Sequence, residues 1–263
     1  MRVDSAENSD FSGVHLFFLQ LKGAYMDVQR LDKFISSQLV DVSRKDAREL
    51  IRRGEVRVNG AAAKSPEQKI SPDDDVITLR GERIGYKRFL YIMLNKPAGV
   101  VCASRDGLSE TVIELLPPEL RRSGLFPAGR LDKDTVGFVL ITDDGILAHR
   151  ILSPKSHVPK KYFVRLRDEL IPEAKKLFAE GIVIDGEEKC LPAELNVLTP
   201  RECELTLHEG KYHQIKRMFS ALGNEVTYLK RTEIAGILLD SALMEGHARE
   251  LSEAEFNKLS EAR

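Results

Sequence analysis

An aspartate, Asp132, stands in residues 129–145, which read G-R-L-D-K-D-T-V-G-F-V-L-I-T-D-D-G. It lies between a glycine-led turn and a β-prone run. A carboxylate fixed there, with Arg130 two residues earlier, has the makings of a nucleophile or an acid/base group. The same pattern also occurs where an aspartate only closes a turn and pairs with a nearby arginine. Gly129 and Gly137 bracket the turn and admit backbone conformations that a Cβ would exclude.

Other residues could serve such a carboxylate. Asn95-Lys96-Pro97-Ala98-Gly99 is a turn with a cation at its start. Pro159-Lys160-Lys161-Tyr162-Phe163-Val164 is a strand with a basic entrance, and Tyr162 offers an aromatic surface. Residues 209–223 read E-G-K-Y-H-Q-I-K-R-M-F-S-A-L-G. There Ile215, Met218, Phe219 and Leu222 recur at helical spacing, with Lys211, Lys216 and Arg217 among them. Cys203, His208 and His213 invite a metal reading, but a strand, a turn and a helix would aim them apart, so no metal site is expected.

The elements that must position these groups can be read in turn. Val136–Thr142 is apolar at successive positions, so a strand buried on both faces is expected. Near the start, Leu31, Phe34, Ile35 and Leu39 mark one face of a short helix. A second helix is expected from the N-cap Ser43 to Gly54. Its Arg44, Arg48 and Arg52 fall four apart and are expected to form one exposed stripe, with Lys45 and Arg53 beside it. Residues 27–88 hold 14 Lys and Arg against 11 Asp and Glu, a net of +3. A basic helix face of this kind can follow a phosphate backbone, although such stripes are also common as plain solvated surface.

Strands are expected at 56–58, 76–79, 89–94, 160–164, 183–184, 195–198, 203–207, 226–229 and 234–239. Helices are expected at 146–152, 172–180 and from Ser252, where Glu255 completes a capping box. Short strands and helices without βαβ repetition predict an α+β fold around a mostly antiparallel sheet. Residues 81–88, polar and carrying Gly85, are expected to link a small domain (27–85) to a larger one (88–263). Residues 1–26 are expected to be a poorly ordered extension.

The net charge of the 263 residues is −1, with 42% hydrophobic and 31% charged residues, so no global excess announces a polyanion partner. Three cysteines without a C-x-x-C pair fit free thiols in a reducing cytoplasm. No run reaches the ~18 apolar residues of a membrane helix. No apolar stripe lacks an intramolecular use, so a monomer is expected.

The 129–145 run resembles the signature of the pseudouridine synthases, specifically the RsuA/RluB-type branch that acts on ribosomal RNA. R-L-D-K-F-I-S followed by S-R-K-D-A-R-E-L-I-R-R-G-E-V-R-V-N-G resembles the S4 RNA-binding domain. Lys-Pro-Ala-Gly, Lys-Lys-Tyr and Q-I-K-R-M resemble the family's remaining motifs, in family order, over residues 30 to about 240. The resemblance implies isomerisation of a specific uridine to pseudouridine, without cofactor or metal. Asp132 would be the nucleophile that breaks the N-glycosidic bond, at the sugar or through a glycal-type route. Tyr162 would stack on the flipped base, Lys216 would pair with Asp132, and Arg130 would hold the flipped nucleotide or its phosphate. Lys96, Lys161, His213 and Arg217 would contact RNA, as would Arg44, Lys45, Arg48, Arg52 and Arg53 of the docking domain. The family's usual chain would begin near Met26.

Thr142-Asp143-Asp144-Gly145 and E-G-K-Y-H-Q look like the branch that modifies small-subunit ribosomal RNA, at a uridine-516-type site. The partner would be that RNA or an assembly intermediate. A large-subunit RNA substrate, or a non-catalytic RNA-binding assembly factor, are the alternatives.

Overall fold

A computed structural model of the chain describes residues 28–40 and 42–262. The expectation for residues 1–26 lies outside the described residues. Contacts divide the chain between Lys87 and Arg88.

In the N-terminal unit, α1 (Leu31–Gln38) and α2 (Arg44–Arg52) pack on a four-stranded sheet. Its strands are β1 (Val56–Val58), β2 (Ala61–Ala62), β3 (Ile77–Leu79) and β4 (Glu82–Arg83), in the order β2-β1-β3-β4. Ser43 caps α2 by accepting from the Asp46 amide, while the Asp46 carboxylate accepts from the Ser43 amide. Leu31, Phe34, Ile35, Ala47 and Ile51 close the core, as the helical spacing requires. The stretch read as a linker differs from expectation. Glu82–Arg83 pairs with β3, Ile84 is buried, and Tyr86 packs against Phe34, so these residues belong to the N-terminal unit.

The larger unit is built on a nine-stranded, mostly antiparallel sheet. Its main path uses β5 (Tyr91–Lys96), β6 (Val136–Thr142), β7 (Lys160–Leu166), β8 (Glu194–Thr199), β9 (Glu202–Leu207), β10 (Val226–Ile234) and β11 (Ala248–Glu250). The spatial order is β8-β9-β7-β10-β6-β5-β11. Phe126–Pro127 and Ile237–Leu238 add short edges to β6 and β10. β6 is buried at all seven positions because core lies on both sides of the sheet. Val139 and Ile141 enter one cluster with α4 (Ala174–Glu180) and α5 (Gln214–Ala221). Phe138 and Leu140 enter the other, with α3 (Gly145–Leu152) and α6 (Glu253–Glu261). That alternation is the two-residue period of a strand.

The strand read at 226–229 is longer than expected. β10 continues through Lys230-Arg231-Thr232-Glu233 to Ile234 and turns at Ala235-Gly236, so that Ile237–Leu238, the rest of the run read at 234–239, folds back to pair with it. The polar tetrad hides a strand because Arg231 bonds to the Phe138 carbonyl, Thr232 to the Lys161 carbonyl, and Glu233 pairs with Lys161. β11 had no sequence expectation, and β5 begins two residues later than read.

Candidate active site

Asp132 sits in the turn that leads into β6, and α5 delivers two groups to it. Lys216 Nζ lies 3.2 Å from Asp132 Oδ2, and His213 Nε2 lies 3.4 Å from Oδ1. His213 occupies the left-handed region (φ 47°) at the N-cap of α5. Lys216 also reaches Asp134, whose carboxylate accepts from its Nζ at 2.6 and 2.9 Å, so one ammonium serves two carboxylates. That hydrogen bond holds the Asp134 carboxyl below its ordinary value. Burial pulls the Lys216 ammonium down, but Asp134 and Asp132 outweigh it and raise it. Lys216 therefore stays charged beside Asp132.

Lys96 does not face RNA. It is fully buried at the end of β5, and its Nζ donates to the carbonyls of Pro97, Asp132, Lys133 and Thr135 at 2.8–3.2 Å. Three of those carbonyls belong to the turn that carries Asp132. A buried ammonium persists only when its protons are satisfied, and here the turn's backbone satisfies them. The residue read as an RNA contact is thus a clamp on the Asp132 turn.

Asp132 opens onto a cleft of about 790 Å³. Tyr162, 8% exposed, forms part of its wall, together with Arg130, Lys160, Tyr212, His213 and Arg231. Arg130 is exposed and makes no hydrogen bond or ion pair among the described residues, so its guanidinium is available at the rim. Tyr212 is 72% exposed and stacks on His213, with ring centroids 3.8 Å apart.

Two further cations differ from expectation. Lys161 pairs with Glu233 at 3.4 Å, on the sheet face opposite Tyr162, because successive strand residues alternate faces. Lys160, two residues from Tyr162, lines the cleft, whereas Lys161 does not. Arg217 is committed to Asp185, to Glu188 at 3.1 Å and to the Tyr212 carbonyl at 3.0 Å. It braces the loop before α5 instead of reaching for a ligand.

In the N-terminal unit, the arginine stripe is partly neutralised. Arg44 and Arg48, with Arg30, surround the fully buried Asp32 at 2.9–3.4 Å. Burial pushes the Asp32 carboxyl up, but bonds from the three arginines outweigh it and hold it well below the carboxylate range. Arg52 and Arg53 meet Glu49 at 3.9 and 3.0 Å. Arg44 and Arg48 keep 49% and 41% of their side-chain surface exposed, and Lys45 is exposed and makes no hydrogen bond or ion pair among the described residues. The face remains basic, with Asp32 setting how two of its arginines point.

Arg231 was missed from sequence. It is 2% exposed on β10 and reaches the cleft floor beside Tyr162, its cross-strand partner. A single basic residue in a charged tetrad carries no signal of burial.

The chain is similar to known proteins over most of its length. A family model described as RNA pseudouridylate synthase matches residues 90–221, and an S4 domain model matches residues 29–76. The chain is 44% identical over 236 residues to a Bacillus subtilis protein called uncharacterized RNA pseudouridine synthase YtzG, covering 88% of this chain and 98% of that one. It is 43% identical to the ribosomal small subunit pseudouridine synthase A of Haemophilus influenzae, covering 88% and 99%. The Escherichia coli K12 protein of the same name is 43% identical over 86% and 98%. A crystal structure described as a pseudouridylate synthase superposes with a TM-score of 0.62 at 43% identity, over 88% of this chain and 99% of that one.

Proposed function

Because the chain belongs to the RNA pseudouridylate synthase family and carries an S4 domain, we propose that it converts one uridine of small-subunit ribosomal RNA to pseudouridine, with Asp132 as nucleophile. The observation that carries this reading is the Asp132 carboxylate, held between Lys216 and His213 and open to a cleft walled by Tyr162.

The target base must leave its stack to reach such a cleft, at roughly a few kcal/mol. Tyr162 supplies an apolar surface against which the extruded uracil rests. Lys216 places a positive charge 3.2 Å from the Asp132 carboxylate. That carboxylate either attacks C1′ or takes the C2′ proton, and both routes break the N1–C1′ bond. The freed uracil turns within the cleft and forms the C5–C1′ bond. The C5 proton leaves, N1 gains one, and the atoms balance as an isomerisation. Arg130, unpaired at the rim, is suited to hold the flipped nucleotide.

The small-subunit preference rests on the named relatives and on the Tyr212-His213 pair stacked at the cleft. A uridine-516-type target rests on the same likeness. The test incubates purified protein separately with deproteinised small-subunit RNA, small-subunit particles and large-subunit RNA, followed by carbodiimide mapping. New pseudouridine at one small-subunit position is expected. Conversion of large-subunit RNA alone would overturn the choice of substrate, and conversion of neither would leave an RNA-binding assembly factor.

A further inference from the structure

Arg231 is a buried cation without an anion. Its Nε donates to the Phe138 carbonyl at 2.7 Å, while Nη2 is buried and has no partner. Lys160 lines the same cleft, and its Nζ donates only to the Val158 carbonyl, at 3.0 Å. Neither forms an ion pair among the described residues. The cleft's carboxylates are engaged elsewhere. Asp132 faces Lys216 and His213, and Glu209 accepts from the Leu191 amide and from Gln214. A buried charge in this condition is costly unless a ligand supplies the opposite sign.

The backbone is shaped to create this state. In a regular strand, Arg231 and Glu233 would share a face and could neutralise each other. Between Lys161 and Tyr162 the pairing of β7 with β10 shifts register, so Tyr162 opposes Arg231 while Lys161 opposes Glu233. Thr232 is the extra residue of this bulge, which sends Glu233 to Lys161 on the far face and leaves Arg231 on the cleft face. Gly137 completes the seat. It pairs with Arg231 where β6 and β10 run parallel, and a Cβ there would stand 2.3 Å from the Arg231 carbonyl oxygen.

We propose that Arg231 and Lys160 form an anion subsite that grips one of the two phosphodiesters flanking the flipped uridine, placing the sugar against Asp132. The inference rests on the RNA-modifying reading above. Arg231, through its planar fork, suits the non-bridging oxygens of a phosphate, and Lys160 adds a point charge from the adjacent strand. Both reach the cleft floor beside Tyr162, so the phosphate they hold is one attached to the reacting nucleotide.

The experiment is a double-mutant cycle on the intact protein. One arm replaces each flanking phosphate of the target uridine, in turn, with a neutral methylphosphonate. The other compares wild type with Arg231→Gln and, separately, Lys160→Gln, each checked for wild-type circular dichroism. Neutralising one of the two phosphates is expected to lower wild-type kcat/KM roughly tenfold or more. The same change is expected to cost either variant less than about twofold, because the interaction is already gone. Equal losses in wild type and both variants would overturn the subsite while leaving the synthase reading intact. Absence of any pseudouridine from the wild-type protein would instead defeat that reading, and this inference with it. Lys160→Gln alters a less buried group, so the cycle stands if Arg231→Gln does not fold.

Discussion

Lys216 binds Asp132 with the same ammonium it gives to Asp134, at 3.2 Å and 2.6 Å respectively. A lysine can do this because its three protons radiate from a single nitrogen and can meet carboxylates on different sides. The shorter contact goes to the residue that does not line the cleft, so Asp134 anchors the ammonium and Asp132 remains open to substrate.

Lys216→Met should therefore lower kcat by roughly 10²–10³ with little change in RNA affinity, since it removes a charge placed beside the reacting carboxylate. Asp134→Asn should cost less than about tenfold. Single-turnover pseudouridine formation measures both. A larger loss for Asp134→Asn than for Lys216→Met would contradict the division of roles.

Gly137→Ala should destabilise the larger unit by about 2–4 kcal/mol. Its φ is +100°, and the new methyl would meet the Arg231 backbone. Urea unfolding checks this, and a change within ~0.5 kcal/mol would show that β6 and β10 do not need the close approach.

Lys96→Met leaves the carbonyls of Asp132, Lys133 and Thr135 without their shared donor. A loss of about 2–4 kcal/mol in stability is expected, together with a fall in kcat as the Asp132 turn loosens. Lys96→Arg should not restore either quantity, because the buried space fits a point charge and not a fork. Thermal unfolding and turnover, measured together, test it. Wild-type values for both would remove the clamp from the account.

Much of this was written locally in the chain. The Ser252–Glu255 capping box, the seven-residue apolar run of β6 and the i, i+3, i+4 face of α5 all formed as their spacing dictates. The pairing of Lys216 with Asp132 was reachable only through family resemblance, since no spacing rule brings a turn and a distant helix together. Lys96 and Arg231 were illegible for a different reason. Whether a lysine at a strand end turns outward or into the sheet depends on carbonyls contributed by another segment. Arg231 is parted from Glu233 by a bulge, and sequence periodicity cannot locate one extra residue in such a polar stretch.

Burial, and then the nearby Arg231, push the Lys160 ammonium down to about 8. The group is charged below that pH, so kcat/KM for RNA should fall as pH rises through about 8. Lys160→Arg should move that descent to higher pH. Stability should change in the opposite sense. The folded protein binds the Lys160 proton less tightly than the unfolded chain does, so unfolding free energy should rise with pH above about 8. A kcat/KM profile that is flat through this range, in wild type and variant alike, would exclude Lys160 from RNA binding.

The proposed role of Asp132 in the isomerisation is tested most directly by mapping pseudouridine in ribosomal RNA from cells that carry the wild-type gene, the Asp132→Asn gene or neither. One small-subunit site is predicted to be present with the wild type and absent from the other two. Persistence of that site at full level with Asp132→Asn, while it disappears on deletion, would contradict the account.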